Sequence, residues 1–121
     1  APNKLSKEEI DRMMKEAKEH EEEDKKRREE IELKNDTSAL AYSLEKTLNE
    51  FNDKIDEELK NKARDIIGRT KKDIQEDNID KVKQDKDELT SVINEIGTKI
   101  YSSVSKNNSN SDNKSGENSG N

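Results

Sequence analysis

The sequence contains no cysteine and no tryptophan, and it has one proline, one phenylalanine and two tyrosines among its 121 residues. Without cysteine, disulfides and thiolate metal sites are impossible, which excludes the small disulfide-stapled secreted folds. Few aromatics, in a chain that is 25% hydrophobic and 45% charged, limit the core to a modest one within a single domain. No apolar run approaches the roughly 18 residues of a membrane span and no signal-peptide pattern opens the chain, so a soluble protein is expected. Basic residues are not gathered either. The 24 Lys and Arg are interspersed with 30 Asp and Glu for a net charge of −6. That leaves no basic stripe to neutralise phosphates and argues against nucleic acid as a partner.

Glycine and proline are also absent from Leu5 to Phe51, and this stretch reads as one long helical track. Ser6 and Glu9 form a capping-box pair, so the helix is predicted over 6–51, preceded by a linker at 1–4. At helical rise such a rod is roughly 70 Å long, about twice the diameter of a small domain, so part of it is expected to project. Its apolar residues sit at the two ends: Ile10, Met13, Met14 and Ala17, then Ile31, Leu33, Leu40, Leu44, Leu48 and Phe51. Between Lys18 and Glu30 there is none. Glu21 with Lys25, Glu22 with Lys26, Glu23 with Arg27 and Asp24 with Arg28 are spaced at i,i+4 as acid-to-base pairs. Each is worth about 0.2 to 0.5 kcal/mol if formed, less when screened by salt.

A turn follows at 52–56, with Asp56 as N-cap of a second helix over 56–76. Leu59, Ala63, Ile66, Ile67, Thr70 and Ile74 share one face of it. Gly68 falls inside this pattern, where it either weakens the helix or lets a neighbour approach closely, and close packing is the favoured reading. A third helix is expected over 78–104, carrying Ile79, Val82, Leu89, Val92, Ile93, Ile96, Ile100 and Val104. It is thinly packed at Lys83–Glu88 and open to a kink at Gly97. From 105 to 121 the composition falls to Ser, Asn, Gly, Lys, Asp and Glu, and a disordered tail is expected. The fold class is therefore all-α: a long N-terminal helix running into an antiparallel three-helix bundle. Its predicted seam is Leu40, Leu44, Leu48 and Phe51 against Ile66, Ile67 and Ile74, and against Leu89, Ile93, Ile96 and Ile100.

No catalytic constellation emerges. His20, the single histidine, lies in the polar stretch with no apolar wall to shift its pKa. The carboxylates are abundant but not arranged, and the Asp residues lack the central Gly of a calcium loop. No metal site and no cofactor are expected, and the chain is read as not being an enzyme. What remains is the apolar patch Ile10, Met13, Met14 and Ala17 at i, i+3, i+4 and i+7. It is either a fraying or weakly self-associating terminus, or a docking face for a partner outside this chain.

The runs Leu5-Ser6-Lys7-Glu8-Glu9-Ile10-Asp11-Arg12-Met13-Met14-Lys15-Glu16-Ala17 and Glu23-Asp24-Lys25-Lys26-Arg27-Arg28-Glu29-Glu30-Ile31-Glu32, with Lys34-Asn35 and Glu45-Lys46-Thr47-Leu48, resemble the start of the helical lid of DnaK-type, seventy-kilodalton heat-shock chaperones. The resemblance is strong over 5–55 and continues by helix pattern over 56–104, with Leu89-Thr90 and Lys99-Ile100-Tyr101. It implies a lid subdomain at 5–104 that closes over unfolded polypeptide held by a β-sandwich, slowing its release in a cycle driven by an ATPase domain. On that reading Ile10, Met13, Met14 and Ala17 dock on the peptide-binding β-sandwich of the same parent chaperone. Asp24 matches an acidic position that pairs with a basic residue of the sandwich. A second latch, an acid and a His four residues apart in bacterial members, falls on Ser38 and Tyr42, which implies an altered latch with Tyr42 in the place of the His. The terminal motifs of cytosolic eukaryotic and endoplasmic-reticulum members are not found. The resemblance thus implies a bacterial cytoplasmic protein, with mitochondrial matrix or plastid stroma as the alternative. A free-standing helical protein-protein interaction module is the alternative function.

Overall fold

A computed structural model of the chain describes residues 4–105. Its elements are α1 (Lys7–Glu50), a 3-10 turn (Asn52–Lys54), α2 (Glu57–Gln75) and α3 (Ile79–Ser119). There is no strand among the described residues, and the fold is all-α. From residue 106 onward the expected disordered tail lies outside the described residues, as do residues 1–3 of the expected linker. The chain divides into two compact units, Ala1–Leu33 and Lys34–Asn121, and α1 contributes to both.

Helix starts and stops follow local chemistry. Ser6 caps α1: its Oγ accepts from the Glu9 amide at 3.1 Å, and its carbonyl accepts from the Ile10 amide at 3.0 Å. Asp56 caps α2 through its side chain, which accepts from the Leu59 amide at 2.8 Å, with Glu57 and Glu58 in the first turn. α2 ends in a Schellman arrangement: the Asn78 amide donates to the Asp73 carbonyl and the Asp77 amide to the Ile74 carbonyl, both at 3.0 Å. This requires a left-handed residue, and Asp77 supplies it at φ 57°. Aspartate tolerates that region better than most residues. Asn78 then begins α3, its Oδ1 accepting from the Lys81 amide at 3.3 Å.

Within the unit from Lys34 onward, ion pairs fix the helix directions. Lys34 Nζ meets Asp77 Oδ1 at 2.8 Å, and Lys71 meets Glu45, so α1 and α2 are antiparallel. Lys62 Nζ meets Glu95 Oε1 at 3.0 Å, and Arg69 meets Glu88, so α2 and α3 are antiparallel as well. The core between them contains Ala41, Leu44, Leu48, Ile55, Leu59, Ala63, Ile66, Ile67, Leu89, Val92 and Ile96. Leu40, Phe51, Ile93 and Ile100 pack against its rim, partly buried.

The structure departs from the sequence expectation at several positions. Ile74 lies at the edge, half-buried, and Asp73 is buried beside it. Ile55, assigned above to a turn, is buried as the residue just before the Asp56 cap. Lys60 is also buried. Its ammonium donates to Asn52 Oδ1 at 2.9 Å and pairs with Glu57 Oε1 at 3.0 Å, tying the first turn of α2 to the 3-10 turn. The stretch 83–88 is not thin, because Asp85 is buried there. Finally, α3 runs through Gly97 as a single helix.

Gly68 does not mark a close approach. A methyl group built at Gly68 or at Gly97 meets nothing within 4 Å, and neither residue has positive φ. Gly68 instead borders a cleft of about 560 Å³ between α1 and α2, lined also by Leu48, Asn49, Arg64 and Ile67. Gly68→Ala and Gly97→Ala are each expected to stabilise the chain by about 1 kcal/mol, since both remove backbone entropy without a clash. A raised Tm in each single variant, and an additive rise in the double variant, is the result that thermal unfolding should return.

Among the described residues of the first unit none is buried. A fragment spanning residues 31–104 is therefore expected to keep most of the unfolding free energy of the whole chain. Loss of more than about half of it in denaturant titrations would place residues before 31 in the core.

Candidate docking face and closing contacts

In the first unit the sequence puts large apolar side chains into solvent. Ile10 is 43% exposed, Met13 55% and Met14 66%, and Ala17 is exposed beside them. At about 100° per residue these four lie on one stripe of α1, which is why they read as a face in the sequence. Leu5, 51% exposed, adds to the same end of the chain. It precedes the Ser6 cap, and Ile10 is the fourth helical residue, so the two hold the positions of a hydrophobic staple. The sequence signal for Leu5 was this staple spacing, which a search for helical periodicity passes over because Leu5 is not in the helix.

Asp24 is exposed, and its position 14 residues after Ile10 returns it to the same stripe of α1. Ile31, 47% exposed, falls there too. The stripe thus runs apolar, acidic, apolar along the helix. Among the described residues of the polar stretch, the acid–base contact that closes is His20 Nδ1 with Glu23 Oε2 at 3.7 Å. The four expected i,i+4 pairs do not close to 4 Å, and their acids remain solvated. His20 is itself solvated, with a side chain 77% exposed.

In the second unit Ser38 and Tyr42 lie one turn apart on α1, both exposed, Tyr42 to 70%. They line a cleft of about 370 Å³ with Ala41, Thr70, Ile74 and Gln75. This is where Ile74 goes: it forms part of an apolar floor that opens to solvent instead of joining the core. Glu45 and Lys71, paired to one another, line both this cleft and the one beside Gly68. The phenol of Tyr42 at the mouth can donate or accept a hydrogen bond, whereas Ser38 carries no charge with which to make an ion pair. Among the described residues no group of three or more His, Cys, Asp or Glu could hold a metal ion. No helix among them is long and apolar enough to cross a membrane.

Comparison with known proteins places these features in a family context. The sequence profile of the family described as Hsp70 protein matches residues 1–102. The chain is 50% identical over 103 residues to the Chaperone protein DnaK of Picrophilus torridus, covering 85% of this chain and 17% of that protein. It is 47% identical over 105 residues to the Chaperone protein DnaK of Thermoplasma volcanium, covering 87% of this chain and 17% of that one. A relative from the alga Gracilaria tenuistipitata var. liui, also a Chaperone protein DnaK, is 42% identical over 105 residues, covering 87% of this chain and 17% of the relative. The chain thus spans about a sixth of the length of the curated relatives it matches. No solved structure matches it.

Proposed function

The chain belongs to the Hsp70 family, and from that premise we propose that residues 5–104 form the lid of a DnaK-type chaperone, closing over bound unfolded polypeptide and slowing its release. The carrying observation is the exposed stripe of Ile10, Met13 and Met14. Full burial of such a side chain from full exposure is worth about 1.5 to 3 kcal/mol, and these three, 43 to 66% exposed, gain roughly half of that each on docking. On this reading the stripe packs on the β-sandwich that holds the peptide, Asp24 pairs with a basic residue of that sandwich, and Ser38 and Tyr42 make an altered latch without an ion pair. Nucleotide hydrolysis belongs to an ATPase domain elsewhere in the longer protein. We assign the protein to the cytoplasm or to an organelle interior.

Exposed apolar residues at a closing surface explain how a lid gains affinity without a rigid lock. The binding free energy comes from desolvation, and Asp24 adds orientation more than affinity, as a charge at a rim does. Adding the chain to a peptide-binding domain that lacks its own lid tests the reading. Dissociation of a labelled peptide should slow. Unchanged dissociation with retained binding of the chain elsewhere would favour the interaction-module alternative.

A further inference from the structure

Asp73 on α2 and Asp85 on α3 meet across the seam of the bundle, 3% and 2% exposed. The two carboxyl groups lie close enough for a side-chain hydrogen bond, and each keeps its Oδ2 buried with no hydrogen-bond partner assigned. An ionised carboxylate only accepts hydrogen bonds, so a bond between two of them requires a proton on one. The alternative, two buried negative charges, needs compensation that Arg69, shared with Glu88, gives only in part. On α2 the nearby cation is Arg69, whose Nε stands 3.6 Å from Asp85 Oδ1 while its outer nitrogen pairs with Glu88 of α3. On α3, Lys86 is turned toward Asp36 of α1 at 3.9 Å, and on α1, Lys34 is engaged by Asp77.

We propose that Asp73 and Asp85 share one proton and act as a pH-governed clasp between α2 and α3, closed while the proton is held and weakened when it leaves. Burial pushes the Asp85 carboxyl up to about 7. The hydrogen bond and negative charge of Asp73 add to this, Glu88 adds further, and Arg69 opposes. In the unfolded chain the same carboxyl titrates near 3.8. The folded form therefore binds the proton more tightly. The stabilisation is complete below about pH 4 and is lost as the pH rises through about 7. The clasp needs both side chains, since each stands buried against the other helix. The bundle is thus tighter in mildly acidic than in mildly alkaline medium, the reverse of what ordinary salt-bridged carboxylates produce.

Thermal unfolding of the full 121-residue chain at pH 6 and pH 8 tests this. The Tm of the unaltered chain should fall by roughly 5 °C or more between the two. Asp85→Asn matches the protonated acid in shape and still donates to Asp73. It should raise the Tm at pH 8 and flatten the dependence, and Asp73→Asn should do the same. The exposed control Asp87→Asn should leave the profile unchanged. A Tm that is flat or rises with pH in the unaltered chain overturns the proposal, as does an Asp85→Asn variant that melts lower at pH 8. Should either variant fail to fold, NMR titration of the side-chain carboxyl carbons in the unaltered chain decides. One aspartate with a midpoint near neutrality is expected, and titration of every carboxyl below about pH 5 overturns the clasp.

Discussion

Leu89→Ala is expected to cost about 3 to 5 kcal/mol and to remove much of the stability of the unit from Lys34 onward. Leu89 is completely buried, in a core that also holds Leu44, Ile66 and Ile96, each no more than 2% exposed. Truncation removes the transfer free energy of three carbons and leaves a cavity that helices anchored by short turns relax into only partly. A chain of this size has a total stability on the order of 5 to 15 kcal/mol, so one such loss is a large fraction. Urea titration followed by circular dichroism should show a much lower midpoint with a similar slope. Ile10→Ala, made as a control at a residue 43% exposed, should stay within about 0.5 kcal/mol of the unaltered chain. If the two variants unfolded alike, the described core would be wrong.

Changing Met13 and Met14 together to Lys should accelerate peptide release from the full-length chaperone about tenfold or more. Losing the burial of even one methionine, about 1.5 kcal/mol, corresponds to that factor, and the introduced ammonium groups add a desolvation cost. The same double change should leave the helicity and melting of the isolated chain almost unaltered, because both residues are exposed there. If the isolated chain pairs weakly with a second copy through residues 5–17, that association should vanish as well, which sedimentation at several concentrations would register. Release kinetics identical to those of the unaltered chaperone would remove the docking role from this face.

Much of the architecture was legible because it depends on local rules. The Ser6 and Asp56 caps, the 3.6-residue periodicity of Leu59 to Ile67 and the wholly polar stretch after Ala17 each state their structure within a few residues. What could not be read was tertiary. Lys83–Glu88 looked thin because Asp85 is polar, and its burial depends on residues of another helix, Asp73 and Arg69, that local spacing does not reveal. Lys60 reads as a surface lysine until the 3-10 turn brings Asn52 to its ammonium. Gly68 offered two meanings, close packing or a weak point, and the distance to a neighbouring helix decides between them. The candidate face was legible for a different reason: exposed apolar side chains at helical spacing stand out where everything around them is charged. Ser38 and Tyr42, by contrast, carry no pattern of their own, and what drew attention to them was family resemblance alone.

The two connections that close the bundle are short, residues 51–56 and the turn at 76–78, the latter reversed by one left-handed residue, Asp77. Closing loops of about ten residues takes roughly 10 to 100 ns, and helical domains built from such local contacts fold within microseconds to milliseconds. The packing of α2 against α3 and the 34–50 part of α1 can therefore be lost and regained many times within any event lasting seconds. Whatever disturbs this unit, whether a core truncation or a departing proton, acts by changing how often it is open and not by leaving it stranded there.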